Sequence, residues 1–227
     1  MRIFKTFMGS VPALAGILLV ILTAVNLIMV QDSFLNYTNH KYNVHQKLSV
    51  SENDLKKVTD SMVSYVKGQK DSPQIIVKIR GSETEFFNQK EIGHLKDVRE
   101  LVKNVYITML MLFLFFLVGG AYFVIKKEWK IIRNSVFVAW GIVLLFAIVL
   151  GMTAARDIDV VVTGFHKMFL YDSKWILNPA LDRSVRMFTV KMYSDVIKTL
   201  GAITGTIFLV TAGSALLLGK KKKKEGR

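Results

Sequence analysis

Four unbroken apolar blocks punctuate a chain that is otherwise rich in charge. They are residues 9–30 (GSVPALAGILLVILTAVNLIMV), 105–125 (VYITMLMLFLFFLVGGAYFVI), 135–152 (SVFVAWGIVLLFAIVLGM) and 201–219 (GAITGTIFLVTAGSALLLG). None holds a charged side chain, and each approaches the roughly 20 residues that carry a helix across a hydrocarbon core about 30 Å thick. Helices apolar all round, rather than on one stripe, predict membrane spans. The first block follows a short basic start, MRIFK, as a signal peptide would. Its 22 residues exceed the roughly 7–15 of a signal core, and no small-x-small cleavage site follows LIMVQDSF, so a retained span is predicted.

Between the spans the periodicity changes. In SVSENDLKKVTDSMVSYVKG, Leu55, Val58, Met62 and Val66 recur at helical spacing between a Ser51 cap and Gly68, which predicts an amphipathic helix. The next stretch has a Pro73 turn, a β-prone run from Ile75 to Ile79, a Gly81-Ser82 turn and the pair Phe86-Phe87, the pattern of a small hairpin. In KEIGHLKDVRE, residues 90–100, the apolar residues Ile92, Leu95 and Val98 share one helical arc with Glu91 and His94. Lys90, Lys96 and Glu100 fall outside that arc. In the second long segment, Ile158, Val161, Val162, Phe165, Met168 and Phe169 suit one helical face, weakened by three consecutive valines and Gly164. Beyond Pro179, Val185, Phe188, Met192 and Val196 suit an interfacial helix leading into the last span.

The expected fold is therefore a mainly α integral membrane protein of four transmembrane helices, with a small α+β extracellular cap and an interfacial crossover between helices 3 and 4. Its parts are a cytoplasmic amino terminus (1–8), the first span (9–30), the cap (31–104), the second span (105–125), a cytoplasmic loop (126–134), the third span (135–152), the extracellular interfacial loop (153–200), the fourth span (201–219) and a cytoplasmic lysine-rich tail (220–227).

Charge orients these parts. Segments 1–8, 126–134 and 220–227 hold 12 basic residues in 25 positions. Segments 31–104 and 153–200 hold 19 in 122 positions, offset by 15 acids. The positive-inside rule puts both termini in the cytoplasm. The net charge of +14 is mostly this signal, with a contact to anionic lipid at KKKKKEGR. It does not indicate nucleic acid, because no aromatic-studded basic surface accompanies it. The absence of cysteine excludes disulfides and thiolate chemistry.

All four histidines, His40, His45, His94 and His166, fall on the external side. His40 and His45 sit in NYTNHKYNVHQK and read as solvated loop residues. His94 has an acid one turn back, Glu91, and another one turn on, Asp97; either could orient the imidazole as a base, or the cluster could simply anchor the cap. His166 lies at the edge of an apolar face, and Tyr171 and Trp175 suit a membrane–water boundary. Asp172 and Lys174 read as a solvated pair. No G-x-S-x-G elbow, H-E-x-x-H or glycine-rich phosphate motif occurs. What remains is acid–base catalysis on a substrate that brings its own nucleophile.

FFNQKEIGHLKDVRELV and GFHKMFLYDSKWILNPALDRSVRMF, set among four spans with a first external cap, resemble the lipoprotein intramolecular transacylases of low-GC Gram-positive bacteria. The likeness is sharpest in the acid-x-x-His-Leu-x-Asp-Val and Phe-His…Trp…Asn-Pro…Asp runs. It implies an acyltransferase of the cell membrane that moves the sn-2 acyl chain of a diacylglyceryl lipoprotein onto the α-amine of that lipoprotein's own amino-terminal cysteine, leaving a lyso form. The partners so implied are the lipoprotein and membrane lipid, at the outer leaflet, without cofactor or metal; nothing sets an oligomeric state. Under this resemblance His94, oriented by Glu91 or Asp97, is the expected base, and His166 donates a proton or steadies the oxyanion. Arg99, Lys174, Trp175, Tyr171 and Asp172 are candidates for substrate or lipid contacts.

A straight helix from residue 105 outward would lift His94 about 16 Å above the hydrocarbon boundary, so a bend near Gly93 or residue 103 is expected. Two rival readings are a metal-dependent membrane lipid hydrolase, with His94, His166 and a carboxylate from Glu91, Asp97 or Asp172 as ligands, and a non-enzymatic exported sensor or assembly factor. The very short cytoplasmic segments count against the second.

Overall fold

The computed structural model describes residues 2–170 and 173–224. In chain order the elements are α1 (Arg2–Met29), α2 (Asp32–Lys41), α3 (Val44–Leu48), α4 (Glu52–Val66), β1 (Ile76–Ile79), β2 (Ser82–Glu85), α5 (Gln89–Ile125), α6 (Trp129–Arg156), α7 (Ile158–Phe169) and α8 (Val190–Lys224), with short 3-10 turns at Ser173–Trp175 and Ser184–Met187. The predominantly helical fold with four long apolar helices, α1, α5, α6 and α8, is the one expected. The chain divides into two compact units. One comprises residues 1–24, 106–156 and 198–227, and the other residues 25–105 and 157–197.

In the first unit, hydrocarbon-facing side chains such as Leu110, Met111, Leu114, Leu117 and Val118 of α5 stay exposed, as lipid-facing surfaces do. The helices are held by close approach and a few polar bonds. A Cβ at Gly119 would lie 2.8 Å from Pro12 Cβ, and one at Gly16 would lie 2.6 Å from the Phe116 ring. Glycine at these two positions lets α1 and α5 meet, which is how helices associate where water supplies no hydrophobic drive. Trp140 is buried with Ile17, Ala139 and Val143, and its Nε1–H donates to Thr211 Oγ1 at 2.8 Å.

The second unit holds all four histidines. The amphipathic helix α4 starts and stops where its sequence says. Ser51 Oγ accepts from Asp54 N–H, and Leu55, Val58, Met62, Val63 and Val66 are buried. Gly68, at φ +78°, ends the helix as Gly68 N–H donates to Tyr65 O and Gln69 N–H to Ser64 O, the two bonds of a Schellman cap. The hairpin forms in the register Ile76↔Glu85 to Ile79↔Ser82. Its turn is Arg80-Gly81, both at positive φ (51° and 87°), one residue earlier than Gly81-Ser82. That choice gives the two-residue turn whose twist matches the strands.

Three further expectations change. The stretch NYTNHKYNVHQK, whose histidines were read as loop residues, lies in α2 and α3; the joint between α2 and α4 is polar, with Asn39 Nδ2 donating to Thr59 Oγ1 at 3.0 Å and Asn36 Nδ2 to Asp60 at 3.1 Å. The helix expected to lead into the fourth span is continuous with it: α8 runs unbroken from Val190, with Thr189 Oγ1 accepting from Met192 N–H at its start. Finally, α5 is continuous through Gly93 and residue 103, so no break supplies the expected bend.

Candidate active site

The first turn of α5 is built by a reciprocal cap. Asn88 Oδ1 accepts Glu91 N–H at 2.9 Å, and Glu91 Oε2 accepts Asn88 N–H at 2.8 Å, so two otherwise orphaned helix donors are satisfied. Glu91 is 1% exposed. Its other oxygen, Oε1, accepts Ser184 N–H at 2.5 Å. The acid expected to orient His94 therefore has both oxygens on backbone N–H groups, one from residues 31–104 and one from residues 153–200.

His94 follows one turn later, partly exposed, and its ring lies 5.8 Å from that of His166 with the planes 30° apart. The two histidines that sequence could not join are thus side by side. Asp157 caps α7 through Asp159 N–H, and the last turn of that helix carries His166, whose Nδ1 is 2.7 Å from Val162 O. A carbonyl oxygen can only accept, so Nδ1 carries the proton and Nε2 is the atom left for chemistry. Trp175 lies against His166 at 5.1 Å between centroids and 31° of tilt, and Phe165 meets it edge-on at 5.7 Å. Helix α7 buries no side chain; Val160, Phe165, Met168 and Phe169 are exposed, with Phe165 against both His166 and Phe169.

Residues 174–184 form a strap along the start of α5. Lys174 pairs with Asp97 at 3.5 Å, its methylenes covering Gly93, where a Cβ would lie 2.8 Å from Lys174 Cδ. Both ends of that pair are partly solvated, so it is worth about 0–1 kcal/mol. Lys90 Nζ donates to Ile176 O at 2.5 Å, and Arg183 Nη1 donates to Glu85 O and Phe86 O at 2.9 and 3.1 Å. Arg99 is not at the histidines: it donates to Lys70 O at 3.1 Å and lies over the Tyr65 ring at 4.9 Å, joining α5 to the end of α4. Tyr171 and Asp172 lie outside the described residues.

Sequence reasoning missed Asn88, Asp182 and Ser184. Asn88 Nδ2 donates to Asp182 Oδ1 at 2.7 Å, and Asp182 Oδ2 accepts Asn178 N–H at 2.6 Å. The Asn88…Glu91 spacing signalled the cap, but nothing local signalled partners so distant in the chain. Burial pushes the Asp182 carboxyl upward, yet the Asn88 and Asn178 hydrogen bonds and the nearby Lys90 charge outweigh it and hold the group below its ordinary value. A carboxylate depressed on folding stabilises the fold above its unfolded value, about pH 4, and that contribution fades as pH falls through the folded value. The melting temperature in detergent is expected to fall below about pH 4 more steeply for the native protein than for Asp182→Asn.

Among the described residues, no group of three His, Asp or Glu side chains is placed to hold a metal ion. The sets imagined for a hydrolase with Glu91 or Asp97 do not assemble there; the one with Asp172 falls outside the described residues.

A family model described as "Lipoprotein intramolecular transacylase Lit" matches residues 11–193. No curated protein matches significantly. Among solved structures, the chain is similar to the membrane integral lipoprotein intramolecular transacylase Lit from Bacillus cereus, with a TM-score of 0.78 and 16% identity over 99% of this chain and 98% of that one. It is also similar to forms of that protein with one histidine replaced by alanine or by arginine, each with a TM-score of 0.73 and 16% identity over 99% of this chain, covering 96% and 95% of those chains.

Proposed function

The chain belongs to the lipoprotein intramolecular transacylase family, and from that premise we propose that this membrane acyltransferase moves the sn-2 acyl chain of a diacylglyceryl lipoprotein to the α-amine of its own terminal cysteine, using His94 and His166. The observation that carries this reading is the contact between the two rings, 5.8 Å apart, beside the exposed apolar side chains of α7.

The substrate supplies both reacting groups. Its α-amine attacks the sn-2 ester carbonyl, the N–C bond forms and a tetrahedral oxyanion develops. Nε2 of His166 takes the proton from nitrogen and delivers it to the departing glycerol oxygen as the C–O bond breaks, so the ring returns to its starting state. His94, across the ring pair, donates a hydrogen bond to the oxyanion. This exchanges the roles expected for the two histidines, and the Val162 contact, which fixes the His166 tautomer, is the reason. Since both reactants belong to one molecule, holding them at attack distance supplies much of the acceleration.

The acyl chains lie along the exposed face of α7 formed by Val160, Phe165, Met168 and Phe169. Because α7 itself brings apolar surface to His166, the ester reaches the pair without a bend in α5. Lys174 and Trp175 close the site from the strap; Arg99 has no part in it. Both termini are cytoplasmic and the site faces outward, an orientation that the basic segments support.

Intramolecular transfer leaves the substrate mass unchanged. A synthetic diacylglyceryl-cysteinyl peptide incubated with the enzyme in detergent is expected to give a product of identical mass with a blocked amine and one alkali-resistant acyl chain. A product lighter by one acyl chain, with free fatty acid, would mean hydrolysis and refute the proposal.

A further inference from the structure

The bonds around Asn88 leave its side chain no freedom. One side meets a donor, Glu91 N–H at 2.9 Å, and the other meets an acceptor, Asp182 Oδ1 at 2.7 Å, so a single amide orientation satisfies both. Asp182 is 3% exposed, and its second oxygen is held by Asn178 N–H. Two residues on, Ser184 N–H meets Glu91, the residue one turn before His94. At the other end of the same strap, Trp175 touches His166.

We infer that Asn88 and Asp182 are positioning residues for the transfer, a polar pair that sets the register of strap 174–184 on α5 and thereby the place of Trp175 and the two histidines. The inference rests on the reading of His94 and His166 as the reacting histidines. The pair touches no reacting atom and reaches the chemistry through the strap. Its polarity can be inverted without changing its shape. Asp182→Asn alone puts an N–H against a donor in either amide orientation, and Asn88→Asp alone sets two carboxylates at hydrogen-bond distance. Together the substitutions restore every donor to an acceptor: the carboxylate at 88 takes Glu91 N–H and the new amide, whose oxygen takes Asn178 N–H.

The full-length variants are assayed in detergent on a synthetic diacylglyceryl-cysteinyl peptide, at a temperature where each is folded by its melting curve. Each single substitution is expected to lower kcat about 10- to 100-fold with little change in KM, as a displacement of about 1 Å in a positioned site does. The double substitution returns kcat to within about threefold of the native value, the coupling a double-mutant cycle reads. Asn88→Ser keeps a helix-capping oxygen but is too short to reach Asp182, so it should lower kcat; a buried Asp182 oxygen loses its donor, which lowers the melting temperature as well, and turnover is compared below that temperature. The inference is overturned if the double variant is no better than the poorer single one, or if Asn88→Ser turns over like the native enzyme. Variants that melt earlier yet keep native kcat would likewise reduce the pair to a structural role. The swap is read on turnover itself; a fully active His94→Ala enzyme would defeat the reading of the histidines and leave the swap to be judged separately.

Discussion

His166→Ala is expected to lower turnover of a diacylglyceryl lipopeptide by about 10²- to 10⁴-fold, the range of a lost general acid–base group. In the proposed mechanism the whole proton path passes through Nε2 of this ring, because Nδ1 faces Val162 O. Without that atom the amine must release its proton to water and the glycerol oxygen must find one there. His94→Ala should cost less, about 10²- to 10³-fold, as the loss of one oxyanion donor does. The double variant is expected to fall little below His166→Ala alone, since groups that act on one transition state are not additive. Both histidines are partly exposed, so alanine opens no closed cavity and membrane insertion should be retained. Native turnover in either purified variant would remove that histidine from the mechanism.

Glu91→Ala is the second large effect, and it is one of folding. The carboxylate is 1% exposed and accepts Asn88 N–H and Ser184 N–H. Alanine leaves both donors without an acceptor, at about 1–3 kcal/mol each. The α5 cap loosens and the strap loses its anchor at Ser184. Glu91→Gln should fall in between, because one of its two terminal atoms becomes a donor facing a donor. Thermal melting in detergent measures the loss. A Glu91→Gln enzyme with native melting and a large fall in kcat would instead restore Glu91 as the acid that orients His94.

These two effects mark where sequence and structure part. The spans were legible because apolar content alone announces a membrane helix, and α4 was legible because period, cap and terminal glycine agree. Helix α2 was not, because Asn36 and Asn39 meet Asp60 and Thr59 of α4 and a polar joint has no apolar period to read; α3, of five residues, is too short to carry one. The turn was misplaced by one residue because Arg80 takes a positive φ usually left to glycine or asparagine. At the site, His94 and His166 were nameable as residue types. Their contact, and the bonds from Asn88 and Glu91 to the strap, join positions more than 70 residues apart in the chain, and such pairings leave no local trace.

The central claim is that the acyl chain never leaves its own molecule. Two lipopeptides that differ in both peptide sequence and acyl length are mixed, incubated with the enzyme and separated by mass. Transfer within each molecule yields the two parental masses with their amines blocked, and nothing else. Hybrid masses carrying one peptide with the other's acyl chain would show transfer between molecules and contradict the account.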